Sequence, residues 1–250
     1  MTFHWTLTPL LLAAGTPDGA GIHAPLDGLL RAHVKEGVVD YRALKTREQD
    51  LDRYLEALSR TDPAPLPEKA RLALWINAYN AFTLKLILER YPGIKGIKDI
   101  PRRWDLKRWT VGGKKYSLDG IEHGVLRKEF REPKIHFAIV CAARSCPDLR
   151  SEAYTAGRID EQLSDAGRRF LSRPDKGFKA LRERGLLGTN DHVYLSQIFK
   201  WFAEDFEREG KTVIDFLIPY LPEEGRKFVE EHRKDLSIRY LDYDWSLNGT

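Results

Sequence analysis

An α+β fold in a single domain is what this sequence predicts. One segment, Glu68–Tyr91, carries apolar residues on nearly every face of a helix, the pattern of a helix buried in the middle of a fold. Short β-rich runs and amphipathic helices follow one another around it without regular βαβ alternation, which argues α+β rather than α/β. The 250-residue length fits one domain with some excursions. The expected arrangement is a mixed or antiparallel sheet packed on the long buried helix, with further helices around it.

Residues 1–25 are set apart from the domain, which is expected to run from 26 to 250. Met1–Gly15 holds a short apolar stretch followed by small residues, the outline of a secretory signal lacking the usual Lys or Arg in front. Residues 16–25, with Pro, Gly, Asp and Ala, read as a linker. Leu26–Val34 and Glu48–Leu58 read as amphipathic helices, with a short strand at Val38–Tyr41 between them and a Pro-rich turn at Asp62–Pro67. The long helix ends at Pro92-Gly93. Trp109–Ser117 is a hairpin in which Gly112-Gly113 supplies the positive φ angles of a two-residue turn. Asp119 and Glu122 then match a helix-start capping pattern, with Asp in place of Ser or Thr. Ile135–Val140 reads as a central strand that delivers the chain into the loop Cys141–Pro147. Helices follow around Ile159–Phe170, Gln197–Phe206, Thr212–Leu221 and Glu224–Asp235, with a strand at Val193–Leu195 and an edge strand over Ser237–Trp245.

Composition narrows the function. Lys and Arg number 41 against 37 acids, a net charge of +4, and the densest basic stretch, Lys95–Lys115, is broken up by acids and tryptophans. No nucleic-acid partner is expected from such a balance. No apolar run approaches the ~18 residues of a membrane-spanning helix. No phosphate-binding loop or dinucleotide fingerprint occurs, so no cofactor is expected. Cys141 and Cys146 lie at the outer limit of zinc-ligand spacing with no His pair following, and no metal is expected.

The chemistry-bearing residues are Asn77 and Asn80 on the long helix, Glu122 and His123, His136, and the loop with Cys141, Arg144 and Cys146. A thiolate attacks carbonyls well but needs a neighbouring base or positive charge. Cys146, before Pro147 in a polar loop, is the better nucleophile, His123 the base and Glu122 the group that orients it. Asn77, Asn80, Cys141, His136 and Arg144 would line the site. Plainer readings stand beside these: a helix-capping Glu122, a core His136, asparagines that pin backbone groups, and a Cys141–Cys146 disulfide. The sequence suggests no functional role for His4, His23, His33, His192 or His232.

Five segments, in order, make the chain familiar: Leu74–Phe82, Leu118–Leu126, Ile135–Pro147, Ile198–Phe206 and Tyr243–Asn248. Together they resemble family 547 of the domains of unknown function, found in many bacteria and often behind a signal sequence. The resemblance spans roughly Leu26 to Asn248. It implies no activity, because the family has none established, but it draws attention to Glu122, His123, His136, Cys141 and Cys146 inside its motifs. A long helix beside a sheet with Cys and His at the sheet's end also looks like papain-like and transglutaminase-like architectures, though those place the thiol at the start of the central helix. The sequence-level expectation is a periplasmic or secreted, thiol-dependent hydrolase or transferase acting on an amide or ester. Its ligand would be a small molecule, a peptide or an envelope polymer. The competing expectation is a non-catalytic envelope binding module whose Cys141–Cys146 loop is stapled by a disulfide.

Overall fold

A computed structural model describes residues 20–185 and 188–250, so the signal-like segment and the start of the expected linker lie outside the described residues. Of that linker, Ala20–His23 is a 3-10 turn and Ala24-Pro25 opens helix α1 (Ala24–His33). The fold therefore begins earlier than residue 26: His23 is buried, its Nδ1 2.9 Å from the Tyr54 hydroxyl. Strands β1 (Val34–Lys35) and β2 (Val38–Val39) form a small antiparallel pair. Helices α2 (Tyr41–Thr46) and α3 (Glu48–Arg60) follow, α2 capped by the Asp40 carboxylate, which accepts from Ala43 N at 2.8 Å.

Helix α4 (Glu68–Leu88) is the expected central helix, and every residue from Leu72 to Leu84 is buried. The hairpin of β3 (Trp109–Val111) and β4 (Lys114–Tyr116) turns on Gly112 and Gly113, whose φ angles are 54° and 75°. It lies against α4, with Trp109 stacked on Phe82 at 4.8 Å and Tyr116 edge-on to Trp75 at 4.9 Å. Helix α5 (Leu118–Ile121) is capped by Ser117, whose Oγ accepts from Gly120 N at 3.0 Å. Asp119 is thus inside the first turn rather than the cap, which lies two residues earlier than the expected pattern. The chain continues from α5 as a π-helix, Glu122–Phe130, closed by Arg131 in the left-handed region (φ 50°). Such wide turns are uncommon and often occur at functional sites.

Ile135–Val140 is not a strand. Pro133 starts a 3-10 helix through Phe137, and Ile139 N donates back to Ile135 O at 3.0 Å. Proline presets the helical φ and removes a ladder donor, which overrides the β-rich composition of the next six residues. The backbone is satisfied instead by Asn80 of α4, which donates to Ala138 O and accepts from Val140 N, both at 2.9 Å.

Helix α6 (Ile159–Leu171) leads into β5 (Phe178–Gly185) and β6 (Gly188–Leu195), an antiparallel hairpin of which the sequence reading had only Val193–Leu195. Phe178–Gly185 escaped notice because Lys179, Arg182, Glu183 and Arg184 hide the apolar alternation. The expected helix over Gln197–Phe206 breaks at Phe202 into α7 (Ile198–Trp201) and α8 (Ala203–Phe206). Then come α9 (Val213–Leu217), with a Thr212/Asp215 capping box, and α10 (Glu223–His232). Strand β7 (Ser237–Tyr240) joins β6 in parallel as the edge of this three-stranded sheet. Beyond Tyr240 the chain leaves the sheet and runs back across the molecule, bridging Gly96, Ala143 and Val39 through Ser246, Leu247 and Gly249.

The architecture is α+β in one domain, with three small sheets where a single one was expected. Two apolar clusters fill it. One surrounds α4 with α1, α3 and the β3–β4 hairpin; the other joins Phe137 and α6 to β6 and the helices from α7 onward.

Candidate functional site

On the seam between the two clusters lies a cavity of about 190 Å³. Tyr79 of α4, Trp104, Asp119, Ile139, Ile198, Trp201, Phe202, Tyr243 and Trp245 line it, together with Glu122, His123, His136, Cys141 and Cys146. Five of the residues nominated from sequence therefore meet in one place. Three do not. Arg144 is exposed and faces a separate polar groove. Asn77 spends its amide on the backbone of Tyr154, donating to O at 2.8 Å and accepting from N at 2.9 Å. Asn80 is spent on Ala138 and Val140 in the same way. Buried amides must be paired, and these two are paired with backbone.

The cysteines are joined. Cys141 and Cys146 form a disulfide across the loop, so neither is a free thiol in this state. Ala142, between them, has φ 56° although it is not glycine, a strained conformation held by neighbours. Those neighbours are the returning C-terminal segment: Ala142 O accepts from Asn248 N at 3.0 Å, and Arg144 N donates to Ser246 O at 2.9 Å. Cys141 is half-buried on the cavity wall, while Cys146 is only 3% exposed. The Cys146 sulfur receives the backbone N–H of Cys141 at 2.9 Å, and the Tyr243 hydroxyl lies 3.3 Å from Cys146 Sγ and 3.2 Å from Cys141 Sγ.

The two histidines differ. His123 is exposed at the rim, and Arg127, one turn on, lies with Nη1 2.9 Å from its Nδ1. Guanidinium has no acceptor, so Nδ1 must accept and the neutral ring carries its proton on Nε2. That leaves His123 a donor rather than the base expected of it. Nor does Glu122 orient it: adjacent helical residues do not face each other, and Glu122 instead accepts from the Tyr79 hydroxyl at 3.1 Å. His136 is buried, stacked on Phe202 at 4.2 Å, with Nε2 2.7 Å from Asp205 Oδ2. Asp205 also accepts from Arg127 Nε at 2.5 Å and Arg208 Nη2 at 2.8 Å. Burial alone would raise the Asp205 pKa, but the bonds from His136 and Arg127 hold its carboxyl well below the usual range. His136 therefore donates through Nε2 and has Nδ1 left as its acceptor.

The remaining polar groups are tuned by the same surroundings. Burial pushes Asp119 up, against the pull of His123 and with the help of Asp105. Burial and the charge of Glu122 push the Tyr79 and Tyr243 phenols up, so both stay protonated donors near neutral pH. At the mouth, Trp201 stacks on Trp245 at 5.8 Å, and Tyr243 lies 4.6 Å from Trp245. Among the described residues no group of three His, Cys, Asp or Glu side chains is placed to hold a metal ion.

Residues 63–171 match the family described as protein of unknown function, DUF547. That is the family the motifs resemble, over a shorter span than Leu26 to Asn248. No curated protein and no solved structure matches the chain. The matched segment supplies every nominated residue in the cavity, from Glu122 to Cys146, and Tyr79 beside them. The later chain adds the aromatic rim (Trp201, Phe202, Tyr243, Trp245) and Asp205. Sequence reasoning missed these last residues. Their signal was present, since all lie within Ile198–Phe206 and Tyr243–Asn248, the two late motifs of the resemblance.

Proposed function

We propose that this cavity is a thiol-dependent acyl-transfer site, for hydrolysis or transfer at an amide or ester, active when Cys141–Cys146 is reduced. The observation that supports it is the gathering of Cys146, His136 with Asp205, and His123 around one largely apolar cavity. In this reading Cys146 is the nucleophile. His136, oriented by Asp205, takes the thiol proton on Nδ1 and returns it to the leaving group. His123, with its proton on Nε2, offers a donor to the substrate carbonyl oxygen. The base thus passes from His123 to His136. A largely apolar wall with few polar groups suits a small uncharged ligand or the end of a polymer. The disulfide fits a periplasmic or secreted protein, where such bonds persist.

The test is acyl transfer from p-nitrophenyl acetate to protein reduced with a phosphine. An acetyl group mapped to Cys146, lost in Cys146→Ser and slowed in His136→Gln, supports the reading. Nitrophenol release that is equal in wild type and Cys146→Ala overturns it. The closed disulfide favours a second reading, a non-catalytic binding module with a stapled loop. In that case reduction yields no acyl adduct, while the oxidised protein retains a ligand-binding cavity.

A further inference from the structure

We propose that Cys141–Cys146 is an exchangeable disulfide, opened by an external dithiol that enters the cavity and attacks Cys141; the inference rests on reading this cavity as a thiol site. The two sulfurs are unequal. Both line the cavity, but Cys141 is half-buried whereas Cys146 is only 3% exposed. An incoming thiolate therefore reaches Cys141 Sγ first, and Cys146 is the leaving group.

The leaving sulfur is prepared for charge. It already accepts the Cys141 backbone N–H at 2.9 Å, and the Tyr243 hydroxyl stands 3.3 Å away. Donors that strengthen as negative charge develops stabilise the thiolate, and a better-stabilised leaving thiolate departs faster. A staple has little left to do here. The loop is pinned without it by Arg144 N to Ser246 O, Ser145 N to Asp244 O and Asn248 N to Ala142 O. Its ends are only five residues apart, the short-loop case in which a cross-link constrains the unfolded chain least.

The exchange balances in two steps. One thiolate of the dithiol bonds to Cys141 Sγ as the Cys141–Cys146 bond breaks, leaving Cys146 as thiolate. The second thiolate of the dithiol attacks its own sulfur in the mixed disulfide, forming the partner's disulfide and releasing Cys141 as thiolate. The partner loses two electrons and Cys141 and Cys146 gain them; the protons its thiols release to solvent on ionising balance those that the cysteine thiolates take up from solvent as they protonate. The same exchange frees Cys146 for acyl transfer.

Glutathione, a monothiol, has no second thiol for the intramolecular step, so an early acid quench, which protonates the thiolates, traps the mixed disulfide before Cys146 or a second glutathione resolves it. Native oxidised protein is incubated with it, quenched in acid and mapped by mass spectrometry. One glutathione on Cys141 with a free thiol at Cys146 is expected, at a rate independent of low urea concentrations. Tyr243→Phe, which keeps the ring and removes the donor, is expected to slow the step by about tenfold. Glutathione on Cys146, a rate that follows global unfolding as urea is raised, or an unchanged rate in Tyr243→Phe each overturns the proposal. Acyl transfer is tested on phosphine-reduced protein, where no thiol is needed. Exchange can thus fail while acyl transfer stands, and the reverse outcome is equally visible.

Discussion

Replacing Asp205 by Asn removes one charge from a buried network while keeping the side chain's shape. Asp205 is 5% exposed and takes bonds from His136, Arg127 and Arg208 at 2.7, 2.5 and 2.8 Å. Asn has a single acceptor oxygen and turns an NH2 towards at least one of these donors. Taking one partner from a buried charged pair costs about 3–5 kcal/mol, because the other charge stays buried without compensation. The pH dependence follows from the depressed carboxyl of the folded state. A folded pKa below the 3.8 of a free carboxyl gives stability that is complete above that value and is lost as pH falls through the folded pKa. Urea unfolding of wild type and Asp205→Asn at about pH 7 and about pH 3 measures both effects. The expected gap is about 3–5 kcal/mol at the higher pH and clearly smaller at the lower. A gap below about 1 kcal/mol, the scale of a surface pair, or one that is equal at both pH values, removes Asp205 from its place under His136.

Three further outcomes are expected. Burial lowers the His23 pKa from 6.5 to about 4, so the folded state resists protonation that the unfolded chain accepts. Stability is complete above pH 6.5 and falls by roughly 3 kcal/mol towards pH 4, and His23→Gln should flatten that slope in urea titrations. Asn80→Leu strands Val140 N and Ala138 O, at about 1–3 kcal/mol for each group, and Asn80→Asp, which keeps the acceptor for Val140 but sets a buried carboxylate oxygen against Ala138 O, should lose more at neutral pH. Thermal unfolding that ranks the two variants the other way contradicts the pairing. The Tyr154 hydroxyl is buried without a hydrogen-bond partner among the described residues, so Tyr154→Phe should be neutral or stabilising by up to about 1 kcal/mol, and a clear loss in the same assay points to a partner.

What the sequence made legible was written in local patterns. The apolar circumference of Glu68–Leu88, the Gly112-Gly113 turn and the 3.6-residue stripe of Ile159–Leu171 each depend on neighbours in the chain, and each forms as expected. Glu122, His123, His136, Cys141 and Cys146 were legible as candidates because reactive side chains cluster at two points of the chain. Their roles were not. That His123 is blocked at Nδ1 depends on Arg127, and that His136 is oriented depends on Asp205, 69 residues away. The strand expected at Ile135–Val140 failed for a similar reason. Its backbone partner is Asn80 of a helix, 58 residues from Ala138, and no propensity scale anticipates an amide standing in for a strand. Asn80 still reaches the site, since by fixing Ala138 and Val140 it places the chain that carries Cys141.

Alkylation of Cys146 tests the central claim, that its thiolate is held by the site rather than merely buried. The phosphine-reduced protein is treated with iodoacetamide at pH 6, native and unfolded in guanidinium, and the rate at Cys146 is read by peptide mapping. Donors from Cys141 N–H and Tyr243 predict a native rate at least about tenfold above the unfolded one, since hydrogen bonds to a charged group contribute about 1.5–3 kcal/mol. A native rate equal to or below the unfolded one is what burial alone produces, and it contradicts the account.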